Sequence, residues 1–180
     1  KFVIVENLFM HSGKQKKQNF KIEKYKKFEK KIKYVLVDKL PENLVDINSV
    51  PEKQKTNTVI DNTLKIEHNQ RNKISEGLND ASDNDLVLIS DVDEIPKLKD
   101  IKNKINKKII CFNQKMFCYK FNLAFENTRW IGTKAVLKKN LLNAQWLRDV
   151  KDRKYPIWRL DILFNKMKYN NVQFIEDGGW

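Results

Sequence analysis

Three short, uninterrupted apolar runs each end on a carboxylate, and no other feature of the chain limits its fold as tightly. Phe2-Val3-Ile4-Val5 ends at Glu6, and Tyr34-Val35-Leu36-Val37 ends at Asp38. Leu86-Val87-Leu88-Ile89 passes through Ser90 into Asp91, Asp93 and Glu94. Such runs, bounded by polar residues, are the mark of strands buried on both faces, as in parallel sheets covered by helices. Between the first two runs, Ile22, Tyr25, Phe28 and Ile32 recur every three or four residues from Phe20 to Lys33, which predicts a helix. Strand, helix, strand is the repeating unit of an α/β fold.

The remaining pattern extends this reading. Residues 39–57 hold Pro41 and Pro51 among polar residues and read as a long working loop. A second helix is predicted from about Asn62 to Leu78, with Glu67 and Arg71 spaced as a favourable ion pair. A third follows Pro96 through Leu98, Ile101 and Ile105. Strands are expected at 109–112, 117–121 and 135–137, within a mixed-sheet half that spans 111–180. With 180 residues and 41% hydrophobic content, the chain is read as one domain. It opens already inside a strand and stops after a glycine pair, and is read as truncated at both ends.

Cys111 and Cys118, seven residues apart, would face opposite sides of a regular strand, so they read as buried thiols rather than a disulfide or metal pair. No run of eighteen apolar residues exists, so no membrane span is expected. The formal charge of +13 permits anionic partners. Its densest part, Lys14 to Lys33, is read as the solvated face of the first helix.

In open α/β sheets, ligands bind beyond the carboxyl ends of the strands, which is where Glu6, Asp38, Asp91, Asp93 and Glu94 fall. If the extended conformation persists past Ile89, Asp91 and Asp93 point to one side. Two converging carboxylates call for a cation between them, and a hard divalent ion leaves room for phosphate oxygens and water. Without a metal, Asp93 or Glu94 would instead cap the following helix.

Taken in order, the motifs resemble those of glycosyltransferase family 17, which includes the bisecting β-1,4-N-acetylglucosaminyltransferase of N-glycans. Asp85 to Pro96 is similar to that family's DD-hydrophobic-SDVDEIP core. Val3-Ile4-Val5-Glu6 with His11-Ser12-Gly13 resembles its VIVE…THSG opening, with Met10 in place of Thr. Tyr34 to Asp38 resembles its second strand. Glu67 to Asn72 resembles its E-x-x-QRN helix, Trp130-Ile131-Gly132 its W-x-G, and Gly178-Gly179-Trp180 the start of its GGWH. In that family an Asn-Glu-bearing strand is expected before Lys1 and a histidine, a candidate third metal ligand, after Trp180.

The resemblance implies a GT-A-like single-domain α/β/α sandwich with a mostly parallel, partly mixed sheet. It implies inverting transfer of N-acetylglucosamine from a UDP-sugar to a glycan hydroxyl, in a β-1,4-like linkage, with Mn2+ or Mg2+. Asp91 and Asp93 become the metal and diphosphate pair, Asp91 also being placed to face the ribose. Glu6 is a candidate for uracil or ribose contact or plain turn polarity, and Asp38 is a weaker donor-site candidate. Arg71 either faces the diphosphate or pairs with Glu67, and Trp130 either stacks on a sugar or packs. His11 is a minor phosphate candidate, and His68 reads as surface. Inversion requires a carboxylate base, for which Asp177, Glu176 and Glu94 are the candidates.

Three other readings compete. A phosphatase of the haloacid-dehalogenase type also uses Asp-x-Asp, but normally after the first strand of its fold, whereas two apparent strands precede it here. A nucleic-acid-binding module would interleave basic and exposed aromatic residues; these aromatics coincide with strands and helix stripes, so no nucleic-acid partner is expected. A carbohydrate-binding module without catalysis would bind sugar in the absence of nucleotide or metal. Localisation stays open: cytoplasmic for a viral or bacterial chain, Golgi lumen for a eukaryotic one.

Overall fold

In the computed structural model the first two apolar runs form β1 (Phe2–Asn7) and β2 (Ile32–Val37), paired in parallel with Phe2 opposite Ile32 and Asn7 opposite Val37. The structure describes residues 1–99, 101, 105–120, 123–125, 128–150, 158 and 172–180. The chain divides into two units, Lys1–Asp80 and Ala81–Trp180, and the two strands belong to the first. Their parallel pairing demands a crossover. That crossover contains a 3₁₀ helix, Ile22–Lys31, kinked at Tyr25 and burying none of its residues.

This differs from the expected α-helix running to Lys33. Lys26 and Lys30, and Lys27 and Lys31, would stand four apart on an α-helix and repel, and Ile32 is taken by the strand. Phe20 anchors the crossover instead, its ring stacked on Tyr25 and Tyr34 with centroids 5.3 and 5.1 Å apart.

The second helix, α1 (Glu52–Asn72), begins some ten residues before its predicted start and ends in a 3₁₀ turn, Lys73–Leu78. Apolar periodicity is sparse in its first half, so the stripe was invisible there. Pro51 at its start, Glu52 in its first turn and the Glu52–Lys55 ion pair of 2.7 Å favour helix without burying anything. Much of the predicted loop at 39–57 is therefore helix or the short 3₁₀ turn Ile47–Ser49. The terminal turn of α1 packs on β1 through Gly77, where a Cβ would lie 2.3 Å from Val3 Cγ1.

The second unit holds a four-stranded sheet of β3 (Leu86–Ile89), β4 (Ile109–Gln114), β5 (Trp130–Leu137) and β6 (Val172–Ile175), in the order β3-β5-β4-β6. β3 and β4 are antiparallel to β5, and β6 is parallel to β4. Three strands thus run one way and β5 against them. The architecture is mixed α/β with partly parallel sheets, and the strands form two sheets where the sequence suggested one mostly parallel sheet. Ile110, Phe112 and Ala135 form a core on one face, with Leu86, Leu88, Ile101, Ile105 and Ile175 packed around them.

A short helix, α2 (Ala144–Asp149), has Asn143 as N-cap, its side chain accepting the Trp146 N–H at 2.7 Å. Trp146 and Leu147 are buried. Lys134 of β5 sends its buried ammonium to the carbonyls of Arg148 and Val150 at the end of this helix, where a cation opposes the helix dipole. Burial lowers the Lys134 pKa.

Two further expectations are revised. The predicted strand at 117–121 is a turn over its described part: Phe117 bridges Ala124, and Tyr119 has φ 63°. Bulky aromatic and apolar residues there mimic a strand pattern that the left-handed residue breaks. The helix predicted after Pro96 falls partly outside the described residues. Neither cysteine is in a disulfide; Cys111 is buried and Cys118 half-buried. No helix among the described residues is long and apolar enough to cross a membrane.

Val3 is β-branched and stiff, so Gly77→Ala should destabilise the chain by about 1–3 kcal/mol through overpacking. Val3→Ala in the same chain should recover part of that loss. A double-mutant cycle in urea that shows no coupling between the two positions would refute the close approach.

Candidate active site

Because β3, β4 and β6 share a direction, their carboxyl ends meet the start of β5 at one edge of the sheet. That edge collects the Asp91–Glu94 segment, Asn113 and Gln114, Trp130 to Thr133, and the segment from Glu176 to Trp180. The extended conformation does not continue past Ile89. The chain turns, with the Glu94 N–H bonded to the Asp91 carbonyl at 3.1 Å and the Asp91 N–H to the Glu94 carboxylate at 3.0 Å. Asp91 is half-buried, Asp93 exposed and Glu94 buried.

Arg148, at the end of α2, fixes this turn. Its Nη1 donates to Glu94 Oε2 at 2.8 Å and to the Gly132 carbonyl at 2.7 Å, while Nη2 donates to Glu94 Oε1 at 3.0 Å and Asp91 Oδ2 at 2.9 Å. A planar fork that engages both oxygens of one carboxylate and one of a second is chemistry lysine cannot supply. Gly132 gives the room: a Cβ there would stand 2.0 Å from Gln114 Oε1 and 3.1 Å from the Glu94 carboxyl carbon. Gln114 in turn accepts the Thr133 N–H at 2.7 Å and donates to the Trp180 carbonyl at 3.1 Å. Ser90 and Thr133 share a hydroxyl hydrogen bond of 2.7 Å.

The last residues run back along the acidic turn. Trp180 exchanges backbone hydrogen bonds with Ile95, and the Lys97 N–H reaches the Gly178 carbonyl at 2.8 Å. Asp177 and Glu176 thus come to the same edge, and both are exposed. Asp177 sits at φ 50°, a conformation aspartate tolerates. A 2.5 Å hydrogen bond from Lys97 and the charge of that ammonium, reinforced by Lys115, hold its carboxyl below the usual aspartate value. Glu176 accepts from Asn113 Nδ2 at 2.5 Å. An open groove of about 390 Å3 lies alongside, lined by Asn113, Gln114, Phe125, Thr128 and Asp177 among others. Trp130 opens β5 opposite Gln114 and is partly exposed.

The first unit carries the other candidates. Glu6 is buried, its Oε1 accepting the Asn19 N–H at 2.7 Å and its Oε2 the Phe20 N–H at 2.9 Å and the Tyr34 hydroxyl at 2.8 Å. Burial pushes this carboxyl up, but the two N–H groups, the hydroxyl and the Lys16 charge outweigh it and hold the pKa below the usual value. Burial and the hydrogen bond to Glu6 push Tyr34 up to about 12. Both oxygens of Glu6 thus serve the chain's own loop. Asp38 is exposed at the end of β2. Arg71 pairs with Glu67 at 2.6 Å, the helix ion pair its spacing suggested. His11 is exposed, its carbonyl accepting from Thr63 at 3.3 Å.

Arg148, Gln114 and Lys97 were not singled out from the sequence. One signal pointed to Arg148. Only five of the thirty-six basic residues are arginines, so each arginine marks a place where the fork geometry is worth asking about.

The arrangement offers two carboxylates, Asp91 and Asp93, on a turn fixed from behind. Magnesium and manganese ions commonly take one or two carboxylates and complete their shell with phosphate oxygens and water. Among the described residues no three His, Cys, Asp or Glu side chains form a metal cluster by themselves. Set against known families, residues 1–148 match the sequence model of glycosyltransferase family 17. No curated protein and no solved structure gives a significant match.

Replacing Arg148 with Met would leave the Glu94 carboxylate buried without its cation. Breaking such a pair from one side costs about 3–5 kcal/mol, and a fall of that size in unfolding free energy is expected. Adding Glu94→Gln should restore part of it. If Arg148→Met unfolds at the same urea midpoint as the parent, the clasp does not hold the turn.

Proposed function

The chain belongs to glycosyltransferase family 17 and is thus of glycosyltransferase type, and from that premise we propose inverting transfer of N-acetylglucosamine from UDP-N-acetylglucosamine to a glycan hydroxyl. The observation that carries this reading is the Asp91–Glu94 turn, clasped by Arg148 at a sheet edge where Asp177 and an open groove also lie. A GT-A-like α/β/α domain and a β-1,4-like linkage belong to the same proposal.

In this reading Asp91 and Asp93 hold Mn2+ or Mg2+, which when bound neutralises the diphosphate charge and improves the leaving group. Arg148 keeps Glu94 and Asp91 in place so that the turn does not rearrange on binding. In the first unit, Glu6 positions the 19–20 loop beside the end of β1, and Asp38 keeps an exposed carboxylate at the end of β2. The acceptor enters the groove, where Phe125 offers ring surface to a sugar face, and the exposed Trp130 ring at the start of β5 is a second such surface.

The chemical step is a single displacement. The acceptor oxygen forms its bond to C1 as the bond from C1 to the diphosphate oxygen breaks, and the hydroxyl proton passes to a carboxylate. Asp177 is the first candidate because it lines the groove. Its lowered pKa makes it a weak base at rest, so the proposal requires acceptor binding to draw it away from Lys97. Glu176 is the second candidate. Glu94, buried and held twice by Arg148, is better placed to position than to accept a proton.

Titrating UDP-N-acetylglucosamine into the protein by calorimetry, with and without Mn2+, tests the donor site. Binding should need the metal and vanish in an Asp91→Ala/Asp93→Ala double variant. Metal-independent binding, or binding that survives the double substitution, would remove the metal from this reading.

The base is tested by transfer assays with donor affinity measured alongside. Asp177→Asn should abolish transfer while donor affinity is kept, and Glu176→Gln should leave most of the rate. The reverse result would hand the role to Glu176.

A further inference from the structure

Ten lysines and two glutamates fall between Lys14 and Lys33, a net charge of +8 out of +13 for the whole chain. Among the described residues, Lys33 is the one of these lysines that forms an ion pair, with Asp80. Within the stretch, the 3₁₀ helix Ile22–Lys31 buries no residue. It carries Tyr25 and Phe28 at 46% and 48% exposure, with Lys24, Lys26, Lys27 and Lys30 around them. A solvated surface accounts for the lysines and the stack on Phe20 holds Tyr25, but neither accounts for the half-exposed Phe28 ring among the lysines.

We propose that this segment is a docking surface for anionic phospholipid membranes. The claim is independent of the transfer reaction and concerns surface attachment, not a span. Polybasic amphipathic segments are attracted to acidic leaflets, while aromatic rings favour the boundary between headgroup and chain.

Nucleic acid, the other polyanion, fits less well. Residues 14–33 contain no arginine, although five occur elsewhere in the chain, and arginine supplies the bidentate phosphate contacts and stacking that nucleic-acid sites exploit. The ring faces are also partly occupied. Tyr25 stacks on Phe20, and the Lys27 ammonium lies 5.9 Å from the Phe28 centroid, which obstructs base stacking.

The test is co-sedimentation with vesicles of phosphatidylserine and phosphatidylcholine in equal parts, against vesicles of phosphatidylcholine alone. Binding should require phosphatidylserine and weaken from 0.1 M to 1 M salt, as the screening length falls from about 10 Å to about 3 Å. Lys24, Lys26, Lys27 and Lys30 changed together to Gln should weaken it roughly a thousandfold, taking about 1 kcal/mol per lysine near the surface. Phe28→Ser should weaken it further, since the ring is half-exposed, with an unchanged circular dichroism spectrum expected as the check that the fold is kept. A charge-matched control changes Lys53, Lys99, Lys107 and Lys108 to Gln.

Equal loss in the control would show that total charge, not this segment, is responsible, and would overturn the proposal. So would displacement of the protein from vesicles by a single-stranded oligonucleotide at equal phosphate concentration, which would make nucleic acid the preferred partner. No sedimentation with phosphatidylserine vesicles at low salt would overturn it directly.

Discussion

The guanidinium of Arg148 is the interaction on which the candidate site depends. Two carboxylates close together on a tight turn repel, and one of them, Glu94, is buried. Burying an ionised carboxylate is costly unless it is paired and hydrogen-bonded. Arg148 meets that need from the end of α2, across fifty-four residues of chain from Glu94 and fifty-seven from Asp91. Its own place is set by two local devices, the Asn143 cap at the start of α2 and the Lys134 ammonium against the carbonyls at its end. The polar network continues through Gly132 and Gln114 to the carbonyl of Trp180. A network of this kind rigidifies a site when every member is satisfied. Here it leaves the Asp93 carboxylate and part of Asp91 facing outward.

Glu6 plays a comparable part in the first unit. Its oxygens accept two backbone N–H groups and the Tyr34 hydroxyl, tying the residues after the β1 tip to the second strand. The apolar counterpart is the Phe20 ring between Tyr25 and Tyr34. A carboxylate at a strand end can serve a ligand or serve the chain. Burial together with three internal donors marks the second use, and exposure, as at Asp38 and Asp93, leaves the first one open.

Much of the fold was legible because the signals were local. Leu86 to Ile89 needed only a continuous apolar run bounded by polar residues, and the structure places that strand on the same four residues. Where the reading failed, apolar periodicity was absent or misleading. The first half of α1 opens on good helix formers, Glu52 to Lys55, but buries almost nothing, so no stripe existed to be read. Ile32 fitted a helical stripe but pairs with Phe2 in the sheet, which is a tertiary decision. Phe117 onward looked like a strand, yet Tyr119 occupies the left-handed region.

The sequence by itself determined the positions of the short apolar strands, the acidic segment that follows Ile89, and the ordered motifs by which the chain is placed in its family. These depend on residues that are neighbours along the chain, where composition and spacing carry the physics. Only the tertiary structure decided which charges meet. It assigned Arg148 to Glu94 and Asp91, committed Glu6 to backbone donors, set β5 between β3 and β4, and brought Asp177 beside Lys97. Each of these is a contact between residues far apart in sequence, where pairing is set by sheet order and burial, and a linear pattern has no term for either.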